Sequence, residues 1–103
     1  MKYNKLVRAK IPEIIVKDGK SPVCRFLKES EMQHFLEEKL NEEVAEYHES
    51  KSIEELADIL EVVYALCRAG GNSIEELMQI NLKKRNERGG FSKGIVLLEV
   101  TEE

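Results

Sequence analysis

Five carboxylates stand in two short motifs, Glu42-Glu43-Val44-Ala45-Glu46 and Glu55-Leu56-Ala57-Asp58, separated by eight residues. At about 100° of rotation per residue, Leu36, Leu40, Glu43 and Tyr47 fall within roughly 40° of one another on a helix. Glu43 therefore occupies the centre of an apolar stripe, where an unpaired carboxylate is expensive to desolvate and needs a cation, a basic partner or a shifted pKa. Glu46, at i+3, can reach the same point in space. On the following helix, Glu55 and Asp58 border the apolar face beside Val62. If the two helices are antiparallel neighbours, Glu43, Glu46, Glu55 and Asp58 converge on one pocket. Such a cluster repels itself without a cation, and hard oxygen ligands with no His or Cys select Mg2+, with Mn2+ as a substitute. Mg2+ commonly bridges to phosphates, so the expected substrate is a nucleoside di- or triphosphate, attacked at phosphorus by an activated water.

Each piece also has an ordinary explanation. Glu-rich helices often present a solvated face, and Glu55 can close a capping box with Ser52. Asp58 is harder to dismiss, because Asp is a poor helix former beyond the first turn and is embedded here between Leu56-Ala57 and Ile59-Leu60. The weight lies in the set of four at matched spacing.

The elements that must position them are three main helices. Each is announced by Ser followed three residues later by Glu or Gln: Ser30 to Gln33, Ser52 to Glu55, and Ser73 to Glu76. The expected spans are about 31–49, 53–69 and 74–88, with Gly70-Gly71 and Gly89-Gly90 ending the second and third. The short turn at Ser50-Lys51 forces the first two to lie antiparallel. Ile11-Pro12-Glu13-Ile14-Ile15 reads as a short helix with Pro in its first turn, ended by Asp18-Gly19. Residues 23–27 and 94–100 are rich in β-branched and apolar side chains and could pair as a small two-stranded β ribbon. The expectation is a mainly α chain, an antiparallel helical bundle forming a single domain over residues 1–103.

Sixteen basic and twenty acidic residues leave a formal charge of -4, which argues against bulk capture of a nucleic acid polymer. No run approaches the roughly 20 apolar residues needed to cross a bilayer, and the opening Met1 to Lys5 lacks the apolar core of a secretion signal. A cytoplasmic location with no membrane partner is expected. Cys24 and Cys67 form no C-x-x-C pair and are expected to be reduced, buried thiols. His34 and His48 are expected on the surface or flank.

The motifs resemble those of the all-α nucleotide pyrophosphohydrolase superfamily, called MazG-like, which includes phosphoribosyl-ATP pyrophosphohydrolase. Its signature is E-E-x-x-E followed on the next helix by E-x-x-D. Tyr3-Asn4-Lys5-Leu6-Val7-Arg8, Lys10-Ile11-Pro12 and Arg88-Gly89-Gly90-Phe91 further resemble a small house-cleaning branch of it. The resemblance implies Mg2+-dependent hydrolysis between the α- and β-phosphates to a nucleoside monophosphate and pyrophosphate. It also implies Glu43, Glu46, Glu55 and Asp58 as metal ligands, with Glu42 as a supporting residue or water activator. Two departures stand out: Ala9 occupies the place of the branch's usual Asp, and the spacer between Glu46 and Glu55 is short.

A polyphosphate needs counter-charge. Lys5 and Arg8 near the start, Lys39 one turn before Glu43, and Lys83, Arg85 and Arg88 near the end of the third helix are the candidates. The last three also complement the helix macrodipole. The broad apolar face of the second helix, from Ile53 to Cys67, suggests a homodimer or higher homo-oligomer. The main rival reading is a non-catalytic oligomeric helical or regulatory module, in which Glu43 would face water. An RNA-binding role for Lys83 to Arg88 and Phe91 is disfavoured by the acidic balance and the few aromatics.

Overall fold

The computed structural model describes residues 3–102, so Met1, Lys2 and Glu103 lie outside the described residues. The chain is all-α, with one short and three long helices: α1 (Ile11–Lys17), α2 (Glu29–Ser50), α3 (Ile53–Ala69) and α4 (Ile74–Arg88). It divides into two compact units, Met1–Asn72 and Ser73–Glu103.

In the first unit, α2 and α3 pack as a hairpin. The reversal is as tight as the sequence requires. Lys51 caps α2 in the left-handed region at φ 56°, and its N–H donates to the carbonyl of Tyr47. Ser52 then caps α3, its Oγ accepting from the Glu55 N–H at 3.3 Å. Leu36 on α2 and Val62 on α3 are the buried apolar residues among those described, and Glu43 is buried with them at 6% exposure. This small core is what holds the acidic motifs face to face. The helix α1 begins with Pro12 in its first turn, where a missing N–H costs nothing, and ends at Asp18 before the left-handed Gly19.

The start of α2 departs from expectation. Ser30 lies inside the helix rather than capping it, and the helix opens two residues earlier than the Ser signal implies. The cap is made by Glu31, whose carboxylate accepts the Lys28 N–H at 3.0 Å while Arg25 grips it with two nitrogens at 3.2 and 3.1 Å. An ion pair with an upstream arginine outweighed the local serine.

The second unit holds α4, opened by a reciprocal box between Ser73 and Glu76: Ser73 Oγ accepts from the Glu76 N–H, and Glu76 Oε1 accepts from the Ser73 N–H. It closes at Gly89, whose φ of 84° suits glycine. No β strand forms among the described residues, so the expected ribbon of 23–27 with 94–100 is not present. A strand needs a partner ladder, and Val23, Phe26, Ile95 and Leu98 stand exposed with neither ladder nor core to fix them. Cys24 lies in that irregular stretch and is exposed, while Cys67 is half-buried, so the expectation of two buried thiols fails for the first. No described helix is long and apolar enough to cross a membrane.

Candidate metal centre

Glu43 of α2 and Glu55 and Asp58 of α3 each offer one carboxylate oxygen to a common point, all three lying within 4.8 Å of one another. Oxygens on opposite sides of a divalent cation bound at 2.1–2.6 Å are about 4–5 Å apart, so one ion can touch all three. The three form an acidic triad capable of holding a divalent metal ion.

A second observation separates this triad from an ordinary acidic surface. Glu43 Oε2 and Glu55 Oε2 are shut off from solvent and have no hydrogen-bond partner. Buried carboxylate oxygens left in that state cost free energy unless a proton or a cation joins them. The Glu55 carboxyl is pushed up to about 7, first by the hydrogen bond its protonated form can make to Glu43, then by burial and by the charges of Glu46, Glu43 and Asp58. A proton on Glu55 would thus do part of what a cation there does.

Glu55 also shows how tertiary structure chose between two local roles. In α4, Glu76 turns its side chain back onto the Ser73 N–H. In α3 the Glu55 N–H donates to Ser52, but the Ser52 N–H goes to Ser50 Oγ at 3.2 Å, and the Glu55 carboxyl turns to Glu43 instead.

Glu46 lies outside the group of three and is more exposed. It remains electrostatically tied to them: the charge of Glu43 is the largest cause raising its pKa, with burial next. Glu42 is drawn the other way. Burial pushes it up, but the hydrogen bond from Lys5 and the charges of Lys39 and Lys5 outweigh that and hold it below its ordinary value. Lys5 Nζ sits 3.1 Å from Glu42 Oε1, and Lys39 Nζ sits 3.4 Å from both Glu42 Oε2 and Glu43 Oε1. Lys5 is itself raised, first by that hydrogen bond to Glu42.

Arg8 makes the shortest ion pair of the site, Nη2 to Asp58 Oδ1 at 2.7 Å. The segment from Asn4 to Arg8 therefore runs across the hairpin and places one cation on each acidic motif. Three of the expected phosphate-binding residues, Lys5, Arg8 and Lys39, thus stand at the carboxylates. The other three, Lys83, Arg85 and Arg88, belong to the second unit and are exposed there. Arg85 and Arg88 line a cleft of about 420 Å³ with Lys84, Gly89, Gly90 and Phe91. His34 and His48 are exposed, His34 Nε2 lying 3.3 Å from Glu38.

Residue types and spacing assigned Phe35 and Glu38 no role, and Asn4 and Leu6 only a place in the N-terminal motif. With Lys5, Lys39 and Glu42 they border a cleft of about 220 Å³ beside the carboxylates. Only the path of the N-terminal segment over α2 brings them together, and no local pattern encodes that path. Comparison with protein-family models, with curated proteins and with solved structures finds no match to this chain.

Proposed function

We propose that the protein is a Mg2+-dependent nucleotide pyrophosphohydrolase of the MazG-like kind, cleaving a nucleoside triphosphate or related nucleotide between its α- and β-phosphates. The observation that carries this reading is the triad of Glu43, Glu55 and Asp58 within 4.8 Å, two of its oxygens buried without a partner. Oxygen ligands alone favour Mg2+, or Mn2+ in its place, over the softer metals.

Glu43, Glu55 and Asp58 would hold the metal, with Glu46, whose carboxyl feels the charge of Glu43, as a further ligand. When bound, the ion supplies positive charge to the phosphate oxygens and acidifies water. Lys5, Lys39 and Arg8 hold charge ready for the phosphates on the same side of the hairpin. Glu42, kept ionised by two lysines, holds those lysines in place and can orient the incoming water. The elements of water add across the α–β anhydride. One phosphorus gains the hydroxyl, the other keeps the bridging oxygen, and the released proton passes to a carboxylate or to solvent. Nucleoside monophosphate and pyrophosphate leave, a reaction suited to clearing unwanted nucleotides from the cytoplasmic pool.

A second reading, a non-catalytic oligomeric helical module, draws on the exposed apolar side chains of α3: Ile53 at 73%, Leu56 at 44% and Leu60 at 48%. The burial of Glu43 speaks against it, since a surface glutamate of such a module would face water. Those same side chains support a homodimer or higher oligomer of the enzyme.

The test is pyrophosphate release from a panel of ordinary and modified nucleotides. Release is expected with Mg2+ or Mn2+ and not with a chelator. Glu43→Gln and Asp58→Asn should each lower it by about 100-fold or more while leaving the helical circular dichroism unchanged. Orthophosphate as the product would overturn the bond assignment, and undiminished turnover in both variants would overturn the site.

A further inference from the structure

We propose that the cleft between the N-terminal segment and α2, bordered by Asn4, Leu6, Phe35 and Lys39, is the subsite for the aromatic heterocycle of the nucleotide. This inference rests on the reading of the carboxylate triad as a nucleotide site and goes beyond it by naming what grips the other end of the substrate.

The cleft is continuous with the metal centre through two side chains. Lys39 lines it and lies 3.4 Å from Glu43 Oε1, and Glu42 lines it beside Lys5. Phe35 and Lys39 are one turn apart on α2, about 6 Å along the axis, so the ring stands just beyond the lysine, away from the triad. At about 220 Å³ the space is smaller than the 300–1,000 Å³ of sites that enclose a whole drug-sized ligand. It has room for one end of a nucleotide, which leaves the phosphates at the carboxylates.

Away from Lys5 and Lys39, whose ammonium groups lie at the carboxylate end against Glu42 and Glu43, the lining has the wrong chemistry for a phosphate pocket. Glu38 and Glu42 balance Lys5 and Lys39, and the remaining walls are an aliphatic side chain, a phenyl ring and an amide. A second phosphate group would be repelled by those carboxylates. A flat, uncharged heterocycle fits: it can lie against Phe35 and Leu6, while the Asn4 amide offers both a donor and an acceptor to its polar edge. The Arg25 guanidinium lies over the Phe35 ring at 5.7 Å from its centroid, which holds the ring in place. A substrate laid along α2 then meets aromatic wall, lysines and metal ligands in the order base, phosphate, metal.

The experiment compares binding, in Mg2+, of inorganic tripolyphosphate with binding of the α,β-methylene analogues of ATP, GTP, CTP and UTP. Those analogues carry a base and cannot be cleaved at the α–β bond. At least one is expected to bind more tightly than tripolyphosphate, and Phe35→Leu should remove about tenfold of that excess, the scale of base stacking on an aromatic side chain. The exposed Asn4→Ala, which cannot disturb the core, should change the order of preference among the four bases. Tripolyphosphate binding should be unchanged in both variants. Analogues that bind no better than tripolyphosphate, or an excess and a base order untouched by both variants, would overturn the subsite and leave the metal reading standing. Absence of Mg2+-dependent binding by every probe would instead overturn the metal reading, and the subsite with it.

Discussion

Raising the pH from about 6 to about 7 should tighten Mg2+ binding about fivefold, because the metal must displace the proton that Glu55 carries. With the Glu55 carboxyl pushed up to about 7, it is nearly all protonated one unit below, half protonated at that value, and nearly all ionised one unit above. If only the ionised form accepts the metal, the association constant scales with the ionised fraction: about 5.5-fold from pH 6 to 7, and about 1.8-fold from 7 to 8. Binding should release about 0.9 proton at pH 6, about 0.5 at pH 7 and about 0.1 at pH 8. Glu46, also raised, adds in the same direction. Titration calorimetry in pairs of buffers with different ionisation enthalpies counts those protons directly. The metal-free protein should respond in the opposite sense. A folded-state pKa above the unfolded value contributes stability that is complete in acid and is lost as pH rises through about 7, so the benefit of added Mg2+ to thermal stability should grow over that window. A metal affinity that is flat or falling between pH 6 and 8 would refute the assignment of Glu55 as a ligand that must lose a proton.

Arg8→Gln removes the competitor of the metal for Asp58. Because the ion pair is largely solvent-exposed, it is worth about 1 kcal/mol at most, so Mg2+ affinity should rise by no more than about fivefold, while nucleotide binding weakens. Calorimetry of both ligands on the variant checks the two signs, and a fall in metal affinity would count against the competition. Leu36→Ala, at a side chain only 3% exposed, should cost about 2–4 kcal/mol and lower Tm by 10 °C or more, since Leu36 is one of the few residues that close the hairpin. A shift of only a degree or two would show that the hairpin draws its stability from elsewhere. Sedimentation at micromolar concentration should find a dimer or larger species, given Ile53, Leu56 and Leu60 exposed on α3; a monomer would remove the oligomer from the proposal.

The helices were legible because their signals are local. A Ser that offers Oγ to the N–H three residues on, and a Gly that alone tolerates positive φ, act within a few residues of themselves, and α3 and α4 begin and end where those signals stand. The start of α2 was misread because Arg25, an irregular-segment residue with no local signature, decides which carboxylate caps it. The ribbon was misread for a related reason. β-Branched and apolar residues favour a strand, but pairing is a non-local event, and it does not occur among the described residues.

What the sequence by itself determined is the meeting of the acidic motifs. A 3.6-residue period put Glu43 among Leu36 and Leu40, and a two-residue turn obliged the next helix to return alongside with Glu55 and Asp58 at its start. What only tertiary structure decided is which oxygens meet. It turned Glu55 away from its capping role, left Glu46 at the margin, and laid Lys5 and Arg8 onto Glu42 and Asp58 across 37 and 50 residues of chain. Helical periodicity assigns a side chain to a face, but the choice among partners on that face is settled by the summed repulsion and desolvation of all the charges gathered there, which no single segment contains.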